Sequence, residues 1–276
     1  MTKNKMPLTQ MPIELIALDL DGTTVSHDVK ISTGVMNAVK AAMNKGIRVT
    51  VATGRNVPST RPFVERFGVN APVICGQGGM IYDYSTEAML HQVHLPHDIA
   101  CDVLSFAAND ERFHTIAYAE HRIFTDRPIA NYLESLTGYE LEVVVDLCET
   151  LSTLESDKIL LAMRDKIFTA DVLRDLSAFV GDRANTVQSH AVFVEVNPLD
   201  AHKGAALERL AGMLGISREK VLAIGDQGND KTMIEWAGVG VAMGNAIDEV
   251  KAVANWIAPT VENDGAAAAI EKFAFV

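Results

Sequence analysis

The sequence predicts an α/β fold, a parallel-sheet core carrying an inserted α+β segment, and three observations carry that prediction. Short apolar runs alternate with capped helical stretches at both ends of the chain, the pattern of βαβ units. Several of those runs end in polar, glycine-containing turns, as parallel strands do where they meet ligands. The middle has a different texture, with strands that alternate or look half exposed and none that ends in a Gly-rich turn. The division that follows is a core from residues 1–88 and 191–276 and an insert over 89–190.

Each element has its own signal. Residues 13–19, Ile-Glu-Leu-Ile-Ala-Leu-Asp, form an aliphatic run ending in a carboxylate, the pattern of a buried strand. Ser32 or Thr33 can cap a helix whose apolar face is Val35, Met36, Val39, Ala42 and Met43, and Gly46 ends it. Residues 47–52 make a second strand, 58–67 a second helix closed by Gly68, and 72–75 a third strand. In the insert, 114–118, 141–145 and 159–163 read as strands and 99–107, 129–136 and 170–179 as helices, giving a largely antiparallel sheet. The last part resumes the earlier rhythm, with helices over 205–214, 231–236, 247–254 and 266–273 and strands over 221–225 and 239–243. No Ser/Gly-rich linker appears, so two short crossings are expected, near 85–90 and 187–192. Residues 1–11 are polar and read as a loose tail.

Composition narrows the function. At 276 residues, 48% hydrophobic and 22% charged, the chain can bury a core without disulfides and is not disordered. Its 24 basic residues against 36 acidic ones, net −12, argue against nucleic-acid binding. An anionic substrate must therefore be met by a local pocket, with a metal ion to offset the repulsive field. Cys75, Cys101 and Cys148 lie far apart with no C-x-x-C, which reads as reduced, buried thiols in a reducing compartment. The longest uncharged run, 67–82, is broken by Pro72, Asn70, Gln77 and glycines, so no membrane span is expected. The expectation is a soluble cytoplasmic protein, with its oligomeric state open.

The chemistry-bearing residues sit in turns after strands. Asp19-Leu20-Asp21-Gly22-Thr23 places two carboxylates at i and i+2 where open α/β sheets bind ligands. One can bind Mg²⁺ and attack phosphorus while the second handles the proton on the leaving oxygen. A plain Asp-Gly turn is the structural alternative; a calcium loop is not, because its glycine belongs at the sixth position and Gly22 is fourth. Thr53-Gly54 follows the second strand and could hold a phosphate oxygen, or simply cap a helix. Asp226, in Gly225-Asp-Gln-Gly-Asn-Asp230, can complete a magnesium site with Asp19, while Asn229 and Asp230 open the next helix. Lys203 begins a helix, where a cation opposes the dipole and a bound phosphate would repair the misfit; a solvated surface lysine is the alternative. His91, His94 and His97 recur every three residues, but Pro96 breaks a helix there and a strand would split them between faces, so no metal site is read into them.

In this order and at these strand ends, the motifs resemble those of the haloacid dehalogenase-like (HAD) phosphatases, and more narrowly the Cof-type branch, subclass IIB, which includes sugar-phosphate phosphatases. The likeness spans about residues 13–274 and takes in Ile81-Tyr82-Asp83, Val241-Ala-Met-Gly-Asn-Ala246 and Asp264-Gly265. It implies a Rossmann-like core, with 89–190 as a cap that selects the substrate, and an enzyme that hydrolyses small phosphorylated metabolites with Mg²⁺. It also implies roles: Asp19 as the nucleophile that becomes an aspartyl-phosphate, and Asp21 as general acid/base touching the metal through its carbonyl. Asp226 would be the other metal ligand, Leu20, Thr53, Gly54, Lys203 and Asn229 the phosphate grip, and Asp230 a supporting residue. The chain departs from the family at Gly76-Gln77-Gly78-Gly79, where an Asn-Gly pair is usual, and at Ala201-His202, where Val-Ser is common. Both departures bear on the pocket rim. The alternatives are a phosphomutase or phosphotransferase of the same superfamily, or a non-catalytic phosphate-sensing regulator.

Overall fold

A computed structural model describes residues 11–26, 30–120, 122–127 and 141–275. The chain enters strand β1 (Leu15–Leu18), buried at every position, and then helix α1 (Thr33–Asn44), capped by the Ser32 side chain, which accepts from the Val35 N–H. Strand β2 (Arg48–Val51) and helix α2 (Val57–Phe67) follow; Asn56 caps α2, and Gly68 closes it in the left-handed region at φ 63°. Strand β3 (Val73–Cys75) leads through a 3₁₀ turn, Gly76–Gly78, into a hairpin of β4 (Met80–Asp83) and β5 (Ala88–Gln92). That hairpin was not expected. Its turn, Tyr84-Ser-Thr-Glu87, has Glu87 rather than glycine at positive φ and lacks the Asn-Gly signal by which hairpins are recognised.

The insert contains α3 (His97–Ala107), β6 (Phe113–Ala119), β7 (Arg122–Thr125), β8 (Leu141–Val143), α4 (Leu147–Leu151), β9 (Ser156–Met163), α5 (Thr169–Val180), β10 (Ala184–His190) and β11 (Phe193–Pro198). Its six strands pair in the order β10-β11-β9-β6-β7-β8, antiparallel except for the β7–β8 pair. The helix expected over 129–136 lies outside the described residues. The crossing expected near 187–192 falls inside the β10–β11 hairpin, and the chain leaves this sheet only after Pro198.

Helix α6 (Lys203–Leu214), β12 (Val221–Gly225), α7 (Lys231–Trp236), β13 (Val239–Ala242), α8 (Asp248–Lys251), β14 (Trp256–Ile257) and α9 (Gly265–Ala274) complete the fold. Helix α8 is shorter than the expected 247–254 because Asn255 is pulled toward the sheet. It exchanges hydrogen bonds of 2.7 Å with the Gly240 main chain, side-chain oxygen to N–H and N–H to carbonyl. The central sheet, β14-β13-β12-β1-β2, is parallel throughout, and a parallel Ala52–Ile74 bridge extends it to β3. One set of buried apolar residues joins this sheet to its helices, and a second, from Leu95 to Val196, fills the space between the insert's sheet and its helices. On the other face of the insert's sheet lies a third, small set, Ile116, Tyr118, Ile123, Leu160 and Ala162.

The cysteines correct an expectation. Cys101 on α3 and Cys148 on α4 form a disulfide, whereas all three cysteines were expected to be reduced; Cys75 is the buried free thiol. Packing of α3 on α4 brings the two Cα atoms to 5.2 Å although they are 47 residues apart, a proximity that no sequence spacing reports. The inference of a reducing compartment loses that premise. Among the described residues no helix is long and apolar enough to cross a membrane.

Candidate active site

The site forms where β1 and β12, neighbours in the parallel sheet, release their chains. After β1 the main chain wraps around the Leu20 carbonyl, which accepts from the N–H groups of Thr23, Thr24 and Val25. Gly22 sits at φ 87°, a conformation that residues with a Cβ rarely adopt. The turn leaves Asp19 buried, with its carbonyl accepting from Thr24 Oγ1 at 2.8 Å. After β12, Asp226 is aimed at the same place: its Oδ1 accepts from Thr23 Oγ1 at 2.9 Å. Asp230 folds back over its own turn, its Oδ2 accepting from the N–H groups of Asp226 (2.8 Å) and Gln227 (3.0 Å).

Lys203 ties these loops together. It is fully buried in the first turn of α6, and its Nζ donates to Asp19 Oδ1 and Asp230 Oδ1, each at 2.6 Å. The surface-lysine reading is therefore excluded by its burial. Burial alone would lower its pKa, but the attraction of Asp19 and Asp230 outweighs it and the ammonium is held charged. The carboxylates are pushed the other way. Burial, and then repulsion from Asp230, raise Asp19 well above the carboxylate range despite Lys203; the same two causes bring Asp226 to about 6. The three carboxylates offer oxygens within 4.8 Å of one another. One ammonium does not neutralise three such groups, and a hard divalent cation with oxygen ligands fits the remaining charge.

The other expected residues fall around this cluster. Thr53 is buried at the end of β2, and its hydroxyl accepts from the Arg55 N–H at 3.1 Å. Gly54 lies against the Gln77 amide, and a Cβ there would collide with it. Asn229 donates to Gln77 Oε1 at 2.8 Å, while its own Oδ1 is buried without a hydrogen-bond partner. Asp21 is not in the carboxylate cluster: its exposed side chain takes a fork from Arg55, at 2.7 and 2.8 Å. Two participants were missed: Arg55, next to Thr53-Gly54, holds Asp21, and Asn245 donates to the Gly22 carbonyl at 2.8 Å. Asp230, expected in support, is a direct partner of Lys203. His202, the departure before the lysine, caps α6 by accepting from the Ala205 N–H at 3.1 Å. His94 pairs with Glu155 and Asp157.

The haloacid dehalogenase-like hydrolase family matches residues 16–270, almost the whole described chain. The chain belongs to the haloacid dehalogenase-like hydrolases. A Bacillus subtilis relative, 5-amino-6-(5-phospho-D-ribitylamino)uracil phosphatase YcsE, is 30% identical over 266 residues, covering 95% of this chain and 96% of that one. A haloacid dehalogenase-like hydrolase from Bacteroides thetaiotaomicron has a TM-score of 0.80 at 30% identity, covering 94% and 99% of the two chains. A subclass IIB sugar phosphatase, BT4131, has a TM-score of 0.81 at 22% identity over 95% and 100%, a likeness of fold. A longer relative, endoribonuclease YBEY, chloroplastic, from Arabidopsis thaliana, is 27% identical over 272 residues; this chain spans 46% of its length. The HAD hydrolase is thus an enzyme, of the phosphatase kind that the names of two of these four relatives describe.

Proposed function

We propose that this HAD enzyme is a Mg²⁺-dependent phosphomonoesterase that hydrolyses small phosphorylated metabolites, sugar phosphates among them, through an aspartyl-phosphate. The observation that carries the reading is the buried Lys203 ammonium, 2.6 Å from both Asp19 and Asp230, beside Asp226. A lysine placed there lets an anionic nucleophile meet an anionic substrate. Asp19 attacks phosphorus through a carboxylate oxygen, and the ester oxygen departs with the bonding pair. Asp21 gives that oxygen its proton, and later takes one from the water that cleaves the acyl-phosphate and releases inorganic phosphate. To do so it must exchange its Arg55 partner for the leaving oxygen. Lys203, Asn229, the Thr53 hydroxyl, Gly54 and the Leu20 main chain hold the phosphoryl oxygens. Asp19, Asp226 and the Asp21 carbonyl would hold Mg²⁺, which when bound offsets charge on the attacked phosphate. The insert, expected over 89–190 and continuing in the sheet to Pro198, acts as the cap, supported by its separate set of buried apolar residues. The cytoplasm, where such metabolites occur, is the proposed location, and the Cys101–Cys148 bond is the observation against it.

The test is release of inorganic phosphate from a panel of phosphorylated metabolites, by the native protein and by Asp19→Asn. Multiple turnover that needs Mg²⁺, is stopped by EDTA and is lost in a normally folded Asp19→Asn is expected. Turnover that survives either treatment would overturn the reading. Phosphoryl groups retained on the substrate, with dependence on a bisphosphorylated activator, would make it a mutase.

A further inference from the structure

Among the described residues a second group of metal-ligating side chains lies in the insert: His97, Cys101 and Cys148, whose ring nitrogen and sulfurs fall within 4.8 Å of one another. His97 and Cys101 are four residues apart on α3, so helix geometry puts them on one face. Cys148 comes from α4, which packs against α3 and brings the Cα atoms of the two cysteines to 5.2 Å. His97 Nε2 is aimed into this corner, 3.4 Å from Cys101 Sγ and 3.1 Å from the Cys148 carbonyl oxygen. His97 is exposed and both cysteines are half-buried, so reductants and cations reach the group from solvent.

Packing holds the three in place. Ile99 and Val103 anchor α3, and Leu147 and Leu151 anchor α4, in the apolar set that includes Val194 and Val196 of β11. Glu195 lies between those two valines on the opposite face of the sheet, where its Oε2 accepts from the Gln77 side chain of the core at 3.3 Å. The sheet therefore stands between this corner and the active site. A disulfide by itself has no use for an imidazole, but a tetrahedral cation has. Zinc bound at about 2.3 Å from sulfur and about 2.0 Å from nitrogen sets its ligand atoms about 3.5–3.8 Å apart. The separation of His97 from Cys101 is already close to that. Two thiolates and an imidazole suit a thiophilic cation, whereas Mg²⁺ prefers oxygens such as those of the core cluster.

We propose that His97, Cys101 and Cys148 form a site for a thiophilic divalent cation, zinc above all, which the disulfide closes and its reduction opens. The proposal is independent of the phosphatase reading. A dithiol reductant passes two electrons and two protons to the cysteine pair, leaving two thiols and its own disulfide. The cation then takes both sulfurs as thiolates, and their two protons go to solvent. The imidazole stays neutral throughout. With the disulfide closed, Nε2 carries the ring proton and donates it to the Cys148 carbonyl; with the cation bound, that proton sits on the solvent-facing Nδ1 and Nε2 offers its lone pair. Water fills the fourth position. In either state one link fastens α3 to α4, through a covalent bond in oxidising surroundings and through the cation in reducing ones.

The probe is Co²⁺, a coloured stand-in for zinc, added with Mg²⁺ in excess to the full chain reduced by dithiothreitol and then freed of it without oxygen. A thiolate-to-cobalt charge-transfer band should grow until about one Co²⁺ is bound per chain, release about two protons, and bleach when Zn²⁺ is added. Cobalt among the core carboxylates gives no such band. The oxidised protein should give none, and Cys101→Ser, which keeps Cys148 and the buried Cys75, should lose it. His97→Ala should weaken cobalt binding by more than the roughly 10–100-fold that loss of a merely supporting residue costs. If reduction loosens the insert, Zn²⁺ should restore protection from hydrogen exchange in α3 and α4 to the reduced native chain and not to Cys101→Ser. No band and no restored protection in the reduced native chain would overturn the proposal. So would an equal band in Cys101→Ser, or unweakened binding in His97→Ala.

Discussion

Two buried lysines, one in each region, have different surroundings. Lys203, in the parallel-sheet core, meets Asp19 and Asp230 with Asp226 beside them, so negative charge exceeds positive. Lys158, in the insert, meets Glu195, one charge to one. An unbalanced cluster raises the pKa of its carboxylates and invites a cation; a balanced pair carries no such demand. The two regions differ in fastening as well. The core depends on packing around a parallel sheet, while the insert adds the Cys101–Cys148 link between α3 and α4.

The contrast is most directly broken at Lys203. Lys203→Met should leave buried carboxylates uncompensated and cost about 3–5 kcal/mol at neutral pH, measured by urea unfolding. Changing both members of the insert pair, Lys158→Met with Glu195→Gln, should cost only about 1 kcal/mol, because no charge is left alone. Equal losses in the two variants would erase the distinction between the sites.

Reducing the disulfide should come next in size. Opening a link that spans 47 residues should lower stability by about 2–4 kcal/mol, with faster hydrogen exchange in α3 and α4 and little change in β1 or β12. A uniform loss of protection would mean that core and insert do not open separately.

A smaller effect should appear with pH in the metal-free protein. Asp226 is raised from 3.8 to about 6, so the folded state keeps a proton that the unfolded chain has already released. Its contribution is therefore fully present below pH 4 and is lost as pH rises through 6. Asp226→Asn should remove that loss, gaining on the order of 1–2 kcal/mol over the native chain at pH 7.5 in EDTA and nothing at pH 4. Mg²⁺ should raise the Tm of the native chain at pH 7.5 and have little effect on the variant. A pH-independent difference between the two chains would show that Asp226 is ionised without strain.

What the sequence made legible was local. The strand, the Asp19–Thr23 turn and the Gly225–Asp230 turn announce themselves because a few consecutive residues determine them. The Ser32 cap and the Gly68 stop were readable for the same reason. The burial of Lys203 was not, since its partners lie 184 and 27 residues away and a first-turn lysine looks the same in solvent. The fork from Arg55 to Asp21, and the reach of Gln77 to Glu195 over 118 residues, were hidden likewise. The disulfide was misread because an odd cysteine count carries no information about which helices pack. The β10–β11 hairpin escaped notice because its strands, with Asn, Gln, Ser and His on β10, are not apolar enough to mark themselves.

Gly22 leaves an experimental trap. A Cβ at this position would collide with the Asp226 carboxylate, so the residue is fixed by what rests on it as well as by its own φ. In a saturation screen scored by lost turnover, Gly22 should rank beside Asp19 although it donates no proton and attacks nothing. Such a ranking measures how closely the two loops are cast together, and separating scaffold from chemistry there requires asking which inactive variants still bind phosphate.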